Sequence, residues 1–275
     1  MRLVPIGVSG SFPGPTTPAS SYLVQVSAAE AEAAGHEARD WSVLLDLGNG
    51  AFGALQRHMD PMSLDAVSIS HLHPDHCADL SGLYVYLRYH PQRGSLRTGR
   101  RASPLPVYGP STAARHVALS YGLSEGESME NDFDFRSWAE HRSARIGPLT
   151  IEPHRVFHPV ETYGVRVTGP SASGGTTTLA YTGDTDACPS VVELARDVDL
   201  LLSEAAFLEG RDDVVERGIH LTGRRAGQVA TDAGARRLLL THLPVWNDPA
   251  DTLAEARGSY AGPVEIAEPD KPYEL

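Results

Sequence analysis

Three imidazoles and a carboxylate fall within six residues, His71-Leu72-His73-Pro74-Asp75-His76. Neutral imidazole and carboxylate are the usual ligands of zinc and similar divalent ions. In an extended segment, residues two apart share a face, so His71 and His73 can point to one position. Asp75 and His76, at the start of the following helix, can point to a second position nearby. One ion would take the first pair and another ion the second. The alternative is an exposed polar loop that happens to be rich in histidine. Cys77 adjoins the cluster as a soft ligand or, more simply, as a buried thiol.

The elements around the cluster must bring it to a point. Ala66 to Ser70 reads as a short buried strand, and Leu80, Leu83, Tyr84 and Leu87 recur at helical spacing. A strand-to-helix turn therefore carries the cluster. Two ions need more ligands downstream. His158 ends the run Leu149 to Phe157, Asp184 follows Leu179-Ala180-Tyr181-Thr182-Gly183, and His242 ends Leu238-Leu239-Leu240-Thr241. His220 stands just before a helix that Thr222 can cap and Gly234 can stop. His154 competes with His158, but it lies inside the strand. Asp46, at the end of an apolar run, is either the partner of a ligating histidine or a turn former before Gly48-Asn49-Gly50.

The coarse pattern is strands, a helix, more strands, then strand–helix alternation, which suits an α/β fold of layered sheets covered by helices. Helices are expected over 77–90, 111–121, 187–196 and 222–233, and strands over 198–203 and 237–241. Gly169 to Gly175 reads as a hairpin turn between Thr162–Val167 and Thr176–Tyr181. Residues 27–40 read as a hairpin tip or short helical insertion, 91–104 as loop, and 124–137 as acidic and irregular. The 275 residues, 41% of them apolar, show no repeat and no strong linker, so one domain over 1–275 is expected. No stretch approaches a membrane span, and Met1 to Val8 is too short and too soon interrupted for a signal peptide. A cytoplasmic protein is expected. Two cysteines imply neither a disulfide framework nor a cysteine-based zinc site. The net charge of −12 argues against charge-driven nucleic-acid binding. Arg88, Arg93, Arg97, Arg100 and Arg101, in segment 88–101, form either a solvated loop or a basic rim for phosphorylated substrates.

Taken together, His71-x-His73-x-Asp75-His76, His158, Asp184 in Tyr181-Thr182-Gly183-Asp184-Thr185, and His242 in Leu240-Thr241-His242-Leu243 resemble a metallo-β-lactamase-fold hydrolase. That resemblance implies a four-layer αββα sandwich with the site at one edge of two facing sheets. It assigns His71, His73 and His158 to one metal, Asp75, His76 and His242 to the other, and Asp184 to both. Ser203-Glu204-Ala205-Ala206-Phe207 and His220-Leu221-Thr222 resemble the tRNase Z-like phosphodiesterase branch, in which the Glu and His form a relay beside the metals. Gly7-Val8-Ser9-Gly10-Ser11 and Ser20-Ser21 also fit. Gly53 to His58, Leu87-Arg88-Tyr89-His90-Pro91 and the overall length look like the mycobacterial-type atypical class II cyclic-AMP phosphodiesterases. The long arm with which tRNase Z proteins grip tRNA is not seen. The resemblance implies two divalent ions, Zn²⁺ first and Mn²⁺ or Fe²⁺ as alternatives, and a homodimer.

The reaction expected is hydrolysis of a small phosphodiester, a cyclic nucleotide, with Asp75, His220 and Glu204 as the catalytic groups. A tRNase Z-like ribonuclease shares the site and differs in its rim. A thioesterase or lactonase on the same scaffold is a further reading; a thiolate leaves without a proton and so has less need of the Glu204/His220 pair. A metal-stabilised sensor without turnover is the remaining reading.

Overall fold

The structure is a computed structural model that describes residues 1–99, 103–214 and 216–275; Arg100 and Arg101 lie outside them. Among the described residues, fourteen strands form two seven-stranded sheets. The first sheet contains β1 (Arg2–Gly7), β2 (Ser21–Val26), β3 (Trp41–Leu45), β4 (Ala66–Ser68), β5 (Leu105–Gly109) and β6 (Phe133–Ser137) side by side. β14 (Tyr273–Glu274) closes its other edge beside β1. The second sheet runs β13-β12-β11-β10-β9-β8-β7. Its strands are β7 (Ala144–Ile146), β8 (Leu149–Arg155), β9 (Tyr163–Pro170), β10 (Thr176–Tyr181), β11 (Leu200–Glu204), β12 (Leu238–Thr241) and β13 (Val264–Ile266). Both sheets are mixed. β3 to β6 are parallel in the first, and β10 to β13 in the second.

The side-chain period of two explains the layering. Tyr22, Val24, Val43 and Leu45 point between the sheets, where they meet Ile151, Val165, Leu179, Leu200 and Leu202. Leu23, Leu44 and Val67, on the opposite face, pack against Leu80, Leu83 and Leu87 of the helix Leu80–Tyr89. Leu201 and Leu240 turn outward to Ala226, Val229 and Ala230 of the helix Gly223–Ala233. Three apolar layers thus separate four layers of structure, the αββα sandwich.

Some boundaries differ from the sequence reading. The first expected helix divides into Pro74–Cys77 and Leu80–Tyr89. At the break, Asp79 accepts a bond from the Phe52 backbone at 2.8 Å. The third is shortened to Pro189–Leu194, because a proline is at home in the first turn of a helix and not inside one. The 124–137 stretch is not irregular throughout: β6 occupies its end. An edge strand needs apolar residues on one face only, and Phe133 and Phe135 supply them between Asp134 and Arg136. A short helix, Ser95–Thr98, interrupts the expected 91–104 loop. Arg88 and Arg93 are tied to acids, at 3.6 Å to Asp132 and 2.6 Å to Asp60. No described helix is long and apolar enough to cross a membrane.

Candidate metal centre

The parallel strands of both sheets end along one edge, and every ligand candidate sits just past such an end or in a neighbouring loop. His71 and His73 follow β4, and Asp75 and His76 occupy the short helix that Pro74 opens. Gly48 lets the β3 loop lie against this helix, since a Cβ there would strike the Asp75 carbonyl. His158 lies beyond β8, and Asp184 beyond β10 after a left-handed Gly183 (φ 58°). Glu204 ends β11. His220 precedes the helix capped by Thr222, whose hydroxyl accepts from Arg225 N at 3.2 Å. His242 follows β12 with φ 60°.

These side chains converge into two sets. In the first, ring or carboxylate atoms of His71, His73, His158 and Asp184 all lie within 4.8 Å of one another. In the second, Asp75, His76, Asp184 and His242 do the same. Asp184 belongs to both: Oδ1 is 3.2 Å from His76 Nε2, while Oδ2 is 3.4 Å from His242 Nε2 and 3.7 Å from His71 Nε2. His154, the rival for the place of His158, is in neither set.

The donor set fits divalent cations. His76 Nε2, His242 Nε2 and Asp184 Oδ1 are buried without a hydrogen-bond partner, although they face one another. Buried polar atoms are rarely left so. Ligand atoms about 2.0–2.2 Å from a tetrahedral ion stand about 3.3–3.6 Å apart, close to the separations seen here. Burial holds His71 well below the ordinary imidazole range and lowers His73, His158 and His242, so these rings are neutral and able to ligate. Burial opposes ionisation of Asp184, but the facing imidazoles of His242 and His76 outweigh it and hold that carboxyl well below its usual range. Asp75 follows the same balance, brought down to about 2 against burial, chiefly by His76. His76 alone is pushed well above, against burial, by Asp184 and Asp46. Positive charge is thus favoured at the position where an ion would sit.

A second ring of contacts fixes the imidazoles. His76 Nδ1 donates to Asp46 Oδ2 at 2.7 Å. Asp46 also accepts from Ser70 N (2.6 Å), Ser70 Oγ (2.8 Å) and Tyr181 OH (2.7 Å). Its φ of 58° shows that it turns the chain as well, so both sequence readings of Asp46 hold together. His158 Nδ1 donates to the Ile219 carbonyl at 2.9 Å, and His242 Nδ1 lies 2.8 Å from Ser20 Oγ. Such partners set the tautomer and orient the ligating nitrogen. Cys77 packs into the apolar layer behind, where burial pushes its thiol up to about 12. It is a buried thiol and not a ligand.

Beside both sets, His220 Nδ1 donates to Glu204 Oε1 at 3.0 Å, and it lies 3.9 Å from Asp184 Oδ2. Glu204 is held by the backbone N–H groups of Thr185 (2.8 Å) and Ala206 (3.2 Å). Burial would discharge His220, but Glu204 outweighs it and raises the ring to about 9. The loop before His220 is anchored by Asp186, which accepts from Gly218 N at 2.9 Å and Arg225 Nη1 at 3.0 Å. Sequence reading missed Asp186, Ser70 and Tyr181. It also missed the aromatic rings nearby: exposed Phe157 beside His158, and Phe207 at 5.0 Å from the His220 ring. Tyr181 and Phe207 stand within the motifs already noted.

The family model described as "Beta-lactamase superfamily domain" matches residues 42–243. The chain belongs to the metallo-β-lactamase-fold hydrolases of that superfamily. It is 42% identical to an uncharacterized protein of Mycobacterium tuberculosis over all of this chain and 92% of that one. The Bacillus subtilis protein named "Probable metallo-hydrolase YhfI" is 31% identical over 97% of both chains. The crystal structure of YhfI superposes with a TM-score of 0.80 at 27% identity, covering 100% of this chain and 99% of that one. Ribonuclease Z of Myxococcus xanthus is 30% identical over 82% of this chain and 85% of its own. This membership bears out the hydrolase class and the sandwich expected from the motifs.

Proposed function

We propose that the chain hydrolyses a phosphodiester with two divalent cations, and that its substrate is a 3′,5′-cyclic nucleotide, converted to the nucleoside monophosphate. His71, His73 and His158 hold one cation, Asp75, His76 and His242 the other, and Asp184 serves both. Zn²⁺ suits this set, as do Mn²⁺ and Fe²⁺. When bound, the two ions supply positive charge opposite the phosphate oxygens and lower the pKa of an attacking water. Asp75 orients the proton of that water. As the attacking water gives up a proton to solvent and forms a new P–O bond, the P–O bond to the sugar breaks and His220 gives its proton to the departing sugar oxygen. Glu204 keeps that imidazole charged and aimed.

The Glu204–His220 pair carries this reading. A sugar alkoxide leaves poorly without a proton, whereas a thiolate does not need one, which disfavours the thioesterase alternative. The acidic chain disfavours a polyanionic RNA. The exposed ring of Phe157, next to His158, offers a face for a single base to stack on. Kinship to ribonuclease Z favours RNA as the second reading.

The test incubates the zinc-loaded protein with 3′,5′-cyclic AMP, 2′,3′-cyclic AMP and a precursor tRNA, and separates the products by chromatography. AMP formed from the 3′,5′-cyclic substrate, and lost in His220→Ala, is the expected result. Trimming of tRNA with no cyclic-nucleotide turnover would replace this reading with the ribonuclease one.

A further inference from the structure

β8 carries a second group of ligand-type side chains. Leu149 and Ile151 enter the layer between the sheets, so Glu152 and His154, two apart, share the outer face. His141 lies in the connection by which the chain crosses from β6 of the first sheet to β7 of the second. Its backbone is left-handed (φ 58°), and its N–H donates to the Pro153 carbonyl at 3.0 Å. The turn thereby holds the His141 ring beside the other two side chains.

Glu152 Oε1 stands 3.5 Å from His141 Nδ1 and 3.5 Å from His154 Nε2. One ligand atom from each residue falls within 4.8 Å of the others. The two rings meet edge to face at 4.9 Å. His154 is only 4% exposed, yet neither of its ring nitrogens has a hydrogen-bond partner. A buried imidazole with both nitrogens unsatisfied calls for an explanation. Two nitrogens and an oxygen around a tetrahedral zinc stand about 3.3–3.4 Å apart, so both 3.5 Å separations suit a shared ion with little movement. The remaining adjustment falls to His141, which is half exposed and has room to swing. Burial lowers His154 and outweighs the opposing charge of Glu152, which keeps the ring in its ligating neutral form. The nearby Arg166 guanidinium is engaged elsewhere, by the carbonyls of Leu194 (3.3 Å) and Arg196 (2.7 Å).

We propose that His141, Glu152 and His154 form a separate site for a zinc-like divalent cation, with water completing the shell, which clamps the inter-sheet crossover to β8. None of the three belongs to the hydrolytic sets, so the proposal stands independently of the hydrolytic reading.

The test is equilibrium dialysis of the full chain, stripped with chelator, against graded free Zn²⁺, with metal per chain counted by mass spectrometry. Wild type is expected to bind one zinc more than His141→Ala or Glu152→Gln, or to bind it at least tenfold more tightly. Asp184→Ala is expected to keep that zinc. Both clamp variants change exposed or half-exposed side chains, so each should fold, as circular dichroism would verify; His154→Ala, which opens a buried site, is not relied on. Superimposable zinc curves for wild type and His141→Ala would overturn the proposal. So would an extra zinc that disappears in Asp184→Ala and persists in His141→Ala.

Discussion

Two histidine clusters meet along β8, which carries His154 and leads on to His158, and they differ in what stands behind the rings. In the edge cluster, His76, His158 and His242 are each steadied at the far nitrogen, by Asp46, the Ile219 carbonyl and Ser20 Oγ. In the clamp cluster, neither nitrogen of His154 has a hydrogen-bond partner, and Nε2 has only Glu152 Oε1 at 3.5 Å. The first arrangement sets the tautomer and aim of its rings, as the proposed chemistry requires. The second has ligands without supports, which suits a weaker, structural hold. Backing, more than ligand count, separates the two.

Removing the carboxylate common to both hydrolytic sets tests that contrast most severely. Asp184→Ala should lose zinc from the edge cluster and lower kcat by about a thousandfold or more, a loss on the scale of other essential catalytic groups. Normal zinc content together with normal turnover would refute its shared position. His220→Ala should cut kcat by about 10²–10⁴-fold, the usual worth of a general acid, with metal content unchanged. Loss of metal in that variant would make His220 a ligand and end its role as acid. Asp46→Ala should weaken zinc binding at the edge cluster by about 10–100-fold, bringing it toward the clamp's hold. Unchanged affinity there, measured against a competing chelator, would undo the argument about backing. Glu204→Gln should have the smallest effect. His220 must be protonated to act, so activity falls as pH rises through its pKa. That limb should lie at or below about 9 in the wild type, since bound cations add to the repulsion of a proton. Glutamine should move it down by about one unit or more, because the carboxylate that holds the proton is gone. A pH–rate profile of kcat that does not move would separate Glu204 from the proton.

Much of the edge cluster was legible because its residues follow simple local rules. His71 to His76 are nearly contiguous, and His158, Asp184 and His242 each end an apolar run. The layered sheets were legible too, since Tyr22 to Val26 and Leu200 to Leu202 are apolar at every or nearly every position, as strands covered on both faces must be, whereas the four-layer order came from the resemblance of the motifs. Asp46 was readable only as a choice between two roles, because its partner Tyr181 lies on the other sheet. The clamp was hidden for a different reason. His154 looked like a rival ligand for the edge site, and its actual neighbour His141 reaches it through one left-handed turn that no spacing rule reports. β6 was masked by the acidic composition around Phe133 and Phe135.

Asp184 has one further consequence. A carboxylate that reaches both hydrolytic sets makes them a single thermodynamic unit. On the proposed two-cation reading, filling one changes the charge and freedom of the oxygens left for the other, so the two loading steps would be coupled, with either sign. By linkage, whatever factor the first ion imposes on the second is returned unchanged. The state of the enzyme at a given metal concentration is then set by that coupling as much as by the strength of either site alone.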